Sequence, residues 1–115
     1  MSVTVYGIAN CDMVKKARAW LDAKGVAYTF HDYKKLPPDG SEIARWLTQI
    51  TWEKLLNRAG TTFRKLPEAD KANIDEAKAI NLMIAQPSMI KRPVVELPGG
   101  LLVGFAPDTW DAALG

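Results

Sequence analysis

Val3-Thr4-Val5-Tyr6-Gly7-Ile8-Ala9-Asn10-Cys11-Asp12-Met13-Val14-Lys15-Lys16-Ala17-Arg18-Ala19-Trp20-Leu21 changes character at its middle. Its first part is an apolar, β-rich run that reads as a strand over about Val3 to Ile8. From Asp12 onward Val14, Ala17 and Leu21 recur at helical spacing, with Met13 and Trp20 beside them, which predicts a helix to about Lys24. Gly25 then stands where a glycine ends a helix. Cys11, the only cysteine in the chain, falls at the junction. A helix start leaves backbone N–H groups without intrahelical partners and carries the positive end of the dipole, so it favours an anion. Such a setting can bring a cysteine pKa from about 8.5 down to roughly 3.5–7.5. On placement alone two readings stand side by side: an activated thiolate, and a buried, inert thiol packed as a small hydrophobe.

Working outward, Val26-Ala27-Tyr28-Thr29-Phe30-His31 predicts a second strand with Val26, Tyr28 and Phe30 on one face. A crossover of this length favours parallel, right-handed pairing with the first strand. A turn at Pro37-Pro38-Asp39-Gly40 leads into a helical block over about residues 41–86. There Ser41 is expected to cap a helix carrying Ile43, Leu47 and Ile50, and Thr51 to cap a short one over Trp52 to Asn57 with Leu55 and Leu56 facing inward. Gly60-Thr61-Thr62 breaks the pattern, and Phe63-Arg64-Lys65-Leu66-Pro67 reads as irregular. Asn73 is expected to cap a helix with Ile74, Ala77, Asn81 and Ile84 on one face, ending before Pro87. Pro93-Val94-Val95-Glu96-Leu97 and Leu101-Leu102-Val103 flank Pro98-Gly99-Gly100, a hairpin signal. Pro107 opens a terminal helix containing Trp110 and Leu114. The order βαβ, helical block, ββα is the layout of a thioredoxin-like α/β fold: one domain over residues 1–115, a mixed four-stranded sheet and an inserted all-helical block.

Composition bounds the rest. A chain of 115 residues with 48% hydrophobic content can build a core and is not globally disordered. A formal charge of +2 is too small to argue for nucleic-acid or membrane-surface binding. A lone cysteine cannot form an intrachain disulfide, as expected in a reducing compartment. The first residues lack the basic start and apolar core of a signal peptide, and no apolar run approaches the roughly 20 residues that span a bilayer. A cytoplasmic monomer is expected. One Cys and one His do not make a zinc cage. His31 reads as a strand-end residue, and Trp20, Trp46, Trp52 and Trp110 as packing residues.

The segment Asn10-Cys11-Asp12-Met13-Val14-Lys15-Lys16-Ala17 resembles the active-site segment of the arsenate-reductase-like (ArsC/Spx) family. Lys91-Arg92-Pro93-Val94 resembles that family's Arg-Pro ahead of the hairpin, and Leu55-Leu56-Asn57-Arg58 falls within the expected helical block. The resemblance covers essentially the whole chain. The Asn-Cys-Asp and Lys-Lys-Ala pairing points to the YffB-type branch.

The resemblance implies that Cys11 is the nucleophile of a glutathione-dependent monothiol reductase, acting through a mixed disulfide on a disulfide or an oxidised, anionic acceptor. Glutathione, or a glutaredoxin- or thioredoxin-type reductant, would be the partner, with no metal and no nucleotide. Arg92 is implied to bind the anionic substrate, and Pro93 to be cis, beside the nucleophile. The family's anion-binding arginine in the helical block aligns with Asn57, which leaves Arg58 one position on and Arg64 as a substitute. Lys15, one turn from Cys11, can bring its charge near the thiol. Asn10 can orient the Cys11 loop or serve as a turn residue. Two departures matter. Val14 stands where a resolving cysteine would be, so no Cys-x-x-Cys exists. Gly104-Phe105-Ala106-Pro107 lacks the arginine that arsenate reductases carry after the hairpin, which weakens an arsenate-reducing reading. The alternative is a protein-interaction module of the regulatory, Spx type, with Cys11 as an oxidant sensor.

Overall fold

In the computed structural model, which describes residues 3–114, the strands and α-helices run β1 (Thr4–Gly7), α1 (Asp12–Ala23), β2 (Thr29–Asp32), α2 (Gly40–Trp46), α3 (Trp52–Leu55), α4 (Thr61–Arg64), α5 (Glu68–Lys71), α6 (Glu76–Ala85), β3 (Val94–Leu97), β4 (Gly100–Val103) and α7 (Pro107–Leu114). A 3₁₀ turn, Pro87–Met89, follows α6. Met1, Ser2 and Gly115, at the ends of the expected domain, lie outside the described residues. The chain divides into two compact units. One is built from the chain up to Leu36 and from Arg92 onward; the other is Pro37–Lys91.

The first unit holds the sheet, in strand order β2-β1-β3-β4. β1 pairs parallel with β2 and antiparallel with β3, and β3 pairs antiparallel with β4. This is the mixed sheet of a thioredoxin-like α/β fold. Val3, Val5 and Val95 bury one sheet face against Ala17 and Leu21 of α1 and Trp110 of α7. The helical spacing of Val14, Ala17 and Leu21 emerges as a fully buried stripe.

β2 is shorter than the sequence pattern predicts, because Val26 is used to close α1. Gly25, at φ +71°, donates its N–H to the Asp22 carbonyl at 3.1 Å, and Val26 donates to the Leu21 carbonyl at 3.0 Å. This paired closure is a Schellman motif, which satisfies carbonyls that the helix end would leave bare. Strand pairing starts only at Thr29, although Val26 and Tyr28 still pack against the core. In the hairpin, Leu97 pairs with Gly100, so Gly100 begins β4 and the turn is Pro98-Gly99 alone. Gly99 lies at φ +74°, as the position after proline in a type II turn demands.

Within Pro37–Lys91 the starts of two helices differ from expectation. Asp39, not Ser41, caps α2: its carboxylate accepts from the Glu42 N–H at 2.8 Å, and the Glu42 carboxylate accepts from the Asp39 N–H at 3.4 Å. A reciprocal capping box satisfies two free donors, where Ser41 would satisfy one. α2 ends at Trp46, which is buried with Ile43. Asp75, not Asn73, caps α6 by accepting from the Lys78 N–H at 2.8 Å. Asn73 instead takes φ +53°, a left-handed conformation that asparagine tolerates. Ile74 therefore lies outside the helix, and the buried stripe shifts to Ala79 and Met83, leaving Ile84 exposed. The segment after Gly60 is not irregular: Phe63 is buried on the single turn of α4. Leu55 and Leu56 are buried as expected, and their strand-like end is held by Lys91 N–H donating to the Leu55 carbonyl at 2.9 Å. No helix among the described residues is long and apolar enough to cross a membrane.

Gly7 sets how closely α1 sits on the sheet. A Cβ added there would fall 2.7 Å from Val14 Cγ2, and Val14 is fully buried with a stiff χ1 in a helix. Gly7→Ala is expected to lower stability by about 1–3 kcal/mol, as overpacking does. In urea unfolding, the Gly7→Ala, Val14→Ala double variant should lose less than the sum of the single losses, by more than about 0.5 kcal/mol. Additive losses would show that the two positions do not press on each other.

Candidate active site

β1 delivers the chain to the site through a tight turn. The Cys11 N–H donates to the Ile8 carbonyl at 3.0 Å, with Ala9 and Asn10 exposed at the turn. The Lys15 N–H then donates to the Cys11 carbonyl at 2.9 Å. Cys11, extended at φ −80° and ψ 126°, is thus the N-cap of α1. Cap residues commonly accept from the N–H two or three positions on; here those are Met13 and Val14. The neutral thiol makes no capping hydrogen bond, as befits a weak acceptor. The gain comes on ionisation. Partial burial of Cys11 opposes the charge, but the Val14 N–H, a hydrogen bond from the Arg92 guanidinium, the Met13 N–H and the Arg92 positive charge together outweigh it. They hold the Cys11 pKa below its ordinary value.

Arg92 is half-buried and precedes Pro93 across a cis peptide bond. The backbone here is tied into the core. The Gly104 N–H donates to the Pro93 carbonyl at 2.9 Å, and the Trp110 indole N–H donates to the Gly104 carbonyl at 3.1 Å. Gly104 lies at φ +75°, which a side chain would strain. Trp110 in turn meets Trp20 and Phe105 edge-on, with ring centroids 5.8 and 4.9 Å away. The guanidinium is therefore carried by backbone anchored to the aromatic cluster between α1 and α7.

The other residues singled out in the sequence fall in different places. Lys15 is exposed on the first turn of α1, and Asn10 is an exposed turn residue. His31 lies within β2, its ring 4.9 Å from that of Tyr6, its partner across the β1–β2 pairing. Arg58 and Arg64 belong to the Pro37–Lys91 unit. Arg58 is exposed, its guanidinium carbon 5.5 Å from the Trp52 ring centroid. Arg64 is exposed at the end of α4, where its carbonyl accepts from Lys71 Nζ at 3.2 Å. Arg18 belongs to no motif that marks it in the sequence. Seven residues after Cys11 and three after Lys15, it follows the spacing of one helix face, and that was the available signal.

Residues 6–113 match the ArsC family. The chain belongs to the ArsC family. Among solved structures of similar sequence, a protein called YffB has a TM-score of 0.96 at 61% identity, covering 98% of this chain and 99% of that one. An arsenate reductase (ArsC) related protein from Brucella melitensis has a TM-score of 0.79 at 60% identity, covering 97% and 93%. The global transcriptional regulator Spx of Streptococcus mutans is 28% identical over 108 residues, covering 92% of this ArsC-family chain and 78% of the regulator.

Two measurements test the electrostatics. Replacing Arg92 with Gln removes a donor and a charge from the thiolate, so the midpoint of the pH profile of iodoacetamide alkylation should move up towards that of an ordinary cysteine. An unchanged midpoint would mean that the backbone amides act alone. The same lowered pKa links to stability with a definite sign. Between the folded pKa and the unfolded value of about 8.5 the unfolded chain holds the extra proton, so rising pH stabilises the fold. The stability of the wild type relative to Cys11→Ser should accordingly rise with pH through that window and fall back as pH drops through the folded pKa.

Proposed function

We propose that this protein is a glutathione-dependent monothiol reductase in which Cys11 is the nucleophile. The observation that carries the reading is the convergence of the Met13 and Val14 amides and the Arg92 guanidinium on one half-buried thiol. Only the thiolate attacks a disulfide, so a stabilised anion meets the first chemical requirement. In the first step Cys11 Sγ attacks one sulfur of the oxidised acceptor. A new S–S bond joins Cys11 to that sulfur, and the other sulfur leaves with the electron pair and takes a proton from water. In the second step a glutathione thiolate attacks the mixed disulfide and restores Cys11 as the leaving thiolate. A glutaredoxin- or thioredoxin-type protein is an alternative reductant for that step. Position 14, three residues after Cys11, is Val, so the resolving thiol must come from outside the chain. Arg92 holds a carboxylate or oxyanion of the acceptor as well as the thiolate. Arg58 and Arg64, with charges of the same sign, are secondary candidates. The setting is a reducing, cytoplasmic one.

Arsenate is the weaker acceptor in this proposal, because Ala106 precedes Pro107 where arsenate reductases carry an arginine. Similarity to the Spx regulator favours one second reading, in which the protein acts by binding a partner and Cys11 only senses oxidants. Turnover separates the two. With glutathione, glutathione reductase and a small disulfide acceptor, NADPH consumption should depend on the wild-type protein and disappear with Cys11→Ser. Mass spectrometry after exposure to oxidised glutathione should show one glutathione on the wild type and none on the variant. Equal rates for both proteins would end the reductase reading and leave the partner-binding one.

A further inference from the structure

A recess of about 390 Å³ lies on the β2 side of the nucleophile, lined by Ala9, Arg18, Phe30, His31, Asp32, Lys35 and Leu36. Its position follows from the parallel pairing of β1 and β2. Gly7 pairs with Asp32, and the Tyr33 N–H donates to the Gly7 carbonyl at 2.8 Å, so both strands end at the same edge of the sheet. That edge is where parallel α/β sheets bind ligands. Ala9, on the rim of the recess, is two residues before Cys11, and two residues span at most about 7 Å, so the recess borders the turn that carries the thiol.

The recess is charged and its main cation is held in place. Arg18 is half-buried, its guanidinium carbon 4.2 Å from the Phe30 ring centroid, and its Nε–H donates to the Tyr28 hydroxyl at 3.2 Å. A guanidinium fixed in this way loses little freedom on meeting a planar carboxylate. The loop that carries Lys35 is also closed at both ends. The Asp32 carboxylate accepts from the Lys34 N–H at 2.8 Å, and the His31 ring Nε2 lies 3.0 Å from the Leu36 carbonyl, to which it must donate. Two cations and one carboxylate thus face one cavity.

We propose that this recess is the subsite for the α-amino-acid end of the thiol peptide that exchanges with Cys11, with Arg18 and Lys35 taking its carboxylate and Asp32 its ammonium group. The inference rests on the glutathione reading above and deepens it. A peptide with more carboxylates than amines matches the surplus of positive charge in the lining. A thiol lacking carboxylates gains nothing there.

The test compares equilibria at one thiol. The protein is equilibrated with glutathione–oxidised glutathione or with cysteamine–cystamine buffers, and the fraction of Cys11 in mixed disulfide is read by mass spectrometry. The wild type should favour glutathione over cysteamine. Arg18→Gln and Lys35→Gln should each reduce that preference several-fold while leaving the cysteamine equilibrium in place. Lys35 is exposed, so its variant keeps the test valid if loss of the Phe30 stack unfolds Arg18→Gln. A preference that survives in Lys35→Gln and in a folded Arg18→Gln would overturn the subsite and leave Cys11 as the nucleophile. Failure of Cys11 to form a mixed disulfide with either thiol would overturn the reductase reading and the subsite with it.

Discussion

The close approach of α1 to the end of β1 governs what the sheet-containing unit can do. At Gly7 there is no room for a side chain, because Val14 fills the space where a Cβ would stand. Val14 is both the residue that seats the helix and the residue whose amide faces Cys11. Core packing and chemistry therefore share one residue. The short turn from Ile8 to Cys11 has no slack: the strand ends, the chain reverses over Ala9 and Asn10, and the thiol arrives at the cap. A helix seated less closely would still be a helix, but its free amides would stand elsewhere relative to the sheet and to Arg92.

The second constraint comes from the other end of the same unit. Arg92 sits on backbone that is bonded, through Pro93 and Gly104, to the buried indole of Trp110. Desolvation alone would make Cys11 a poor nucleophile, and it is the largest single influence on the thiol. The amides and the guanidinium reverse its effect because their charges are fixed and need no rearrangement when the thiolate forms. Partial burial then becomes useful, since it keeps competing water from screening those donors.

The legible parts of the sequence were those with a long period or a conformationally special residue. Val14, Ala17 and Leu21 announced α1, Gly25 its end, and Pro98-Gly99 the hairpin. The order of elements gave the sheet. The helical block was less legible for physical reasons. α3, α4 and α5 are single turns, too short to display a 3.6-residue period, so Phe63 looked like a loop residue. Two caps are ambiguous in the sequence because serine, asparagine and aspartate are all acceptable caps, and only the neighbouring geometry selects Asp39 and Asp75. At the site, Cys11 stood out as the lone thiol at a helix start, whereas Arg92 was visible only through resemblance, since its approach to Cys11 joins chain segments some eighty residues apart. Arg18 is not legible because a cation within an amphipathic helix reads as solvated surface, and its stack on Phe30 joins residues twelve apart.

A site with one thiol places a particular demand on recognition. An enzyme with two cysteines stores its oxidised state as an internal disulfide and can be indifferent to the identity of its reductant. In the proposed mechanism the oxidised state is a bond to another molecule, and its stability depends on how that molecule is held. Held too weakly, the mixed disulfide does not accumulate against competing thiols; held too strongly, it is not released. Contacts away from the sulfur are the means of setting that balance, because they change the affinity for the attached peptide without altering the nucleophile. The proposed subsite beside Ala9 would supply such contacts from residues separate from those that act on Cys11. The amides and Arg92 lower the thiol pKa, while β2, the loop after it and the second half of α1 carry the charges of the recess. In that proposal the separation lets thiol reactivity and partner preference vary independently on one small fold.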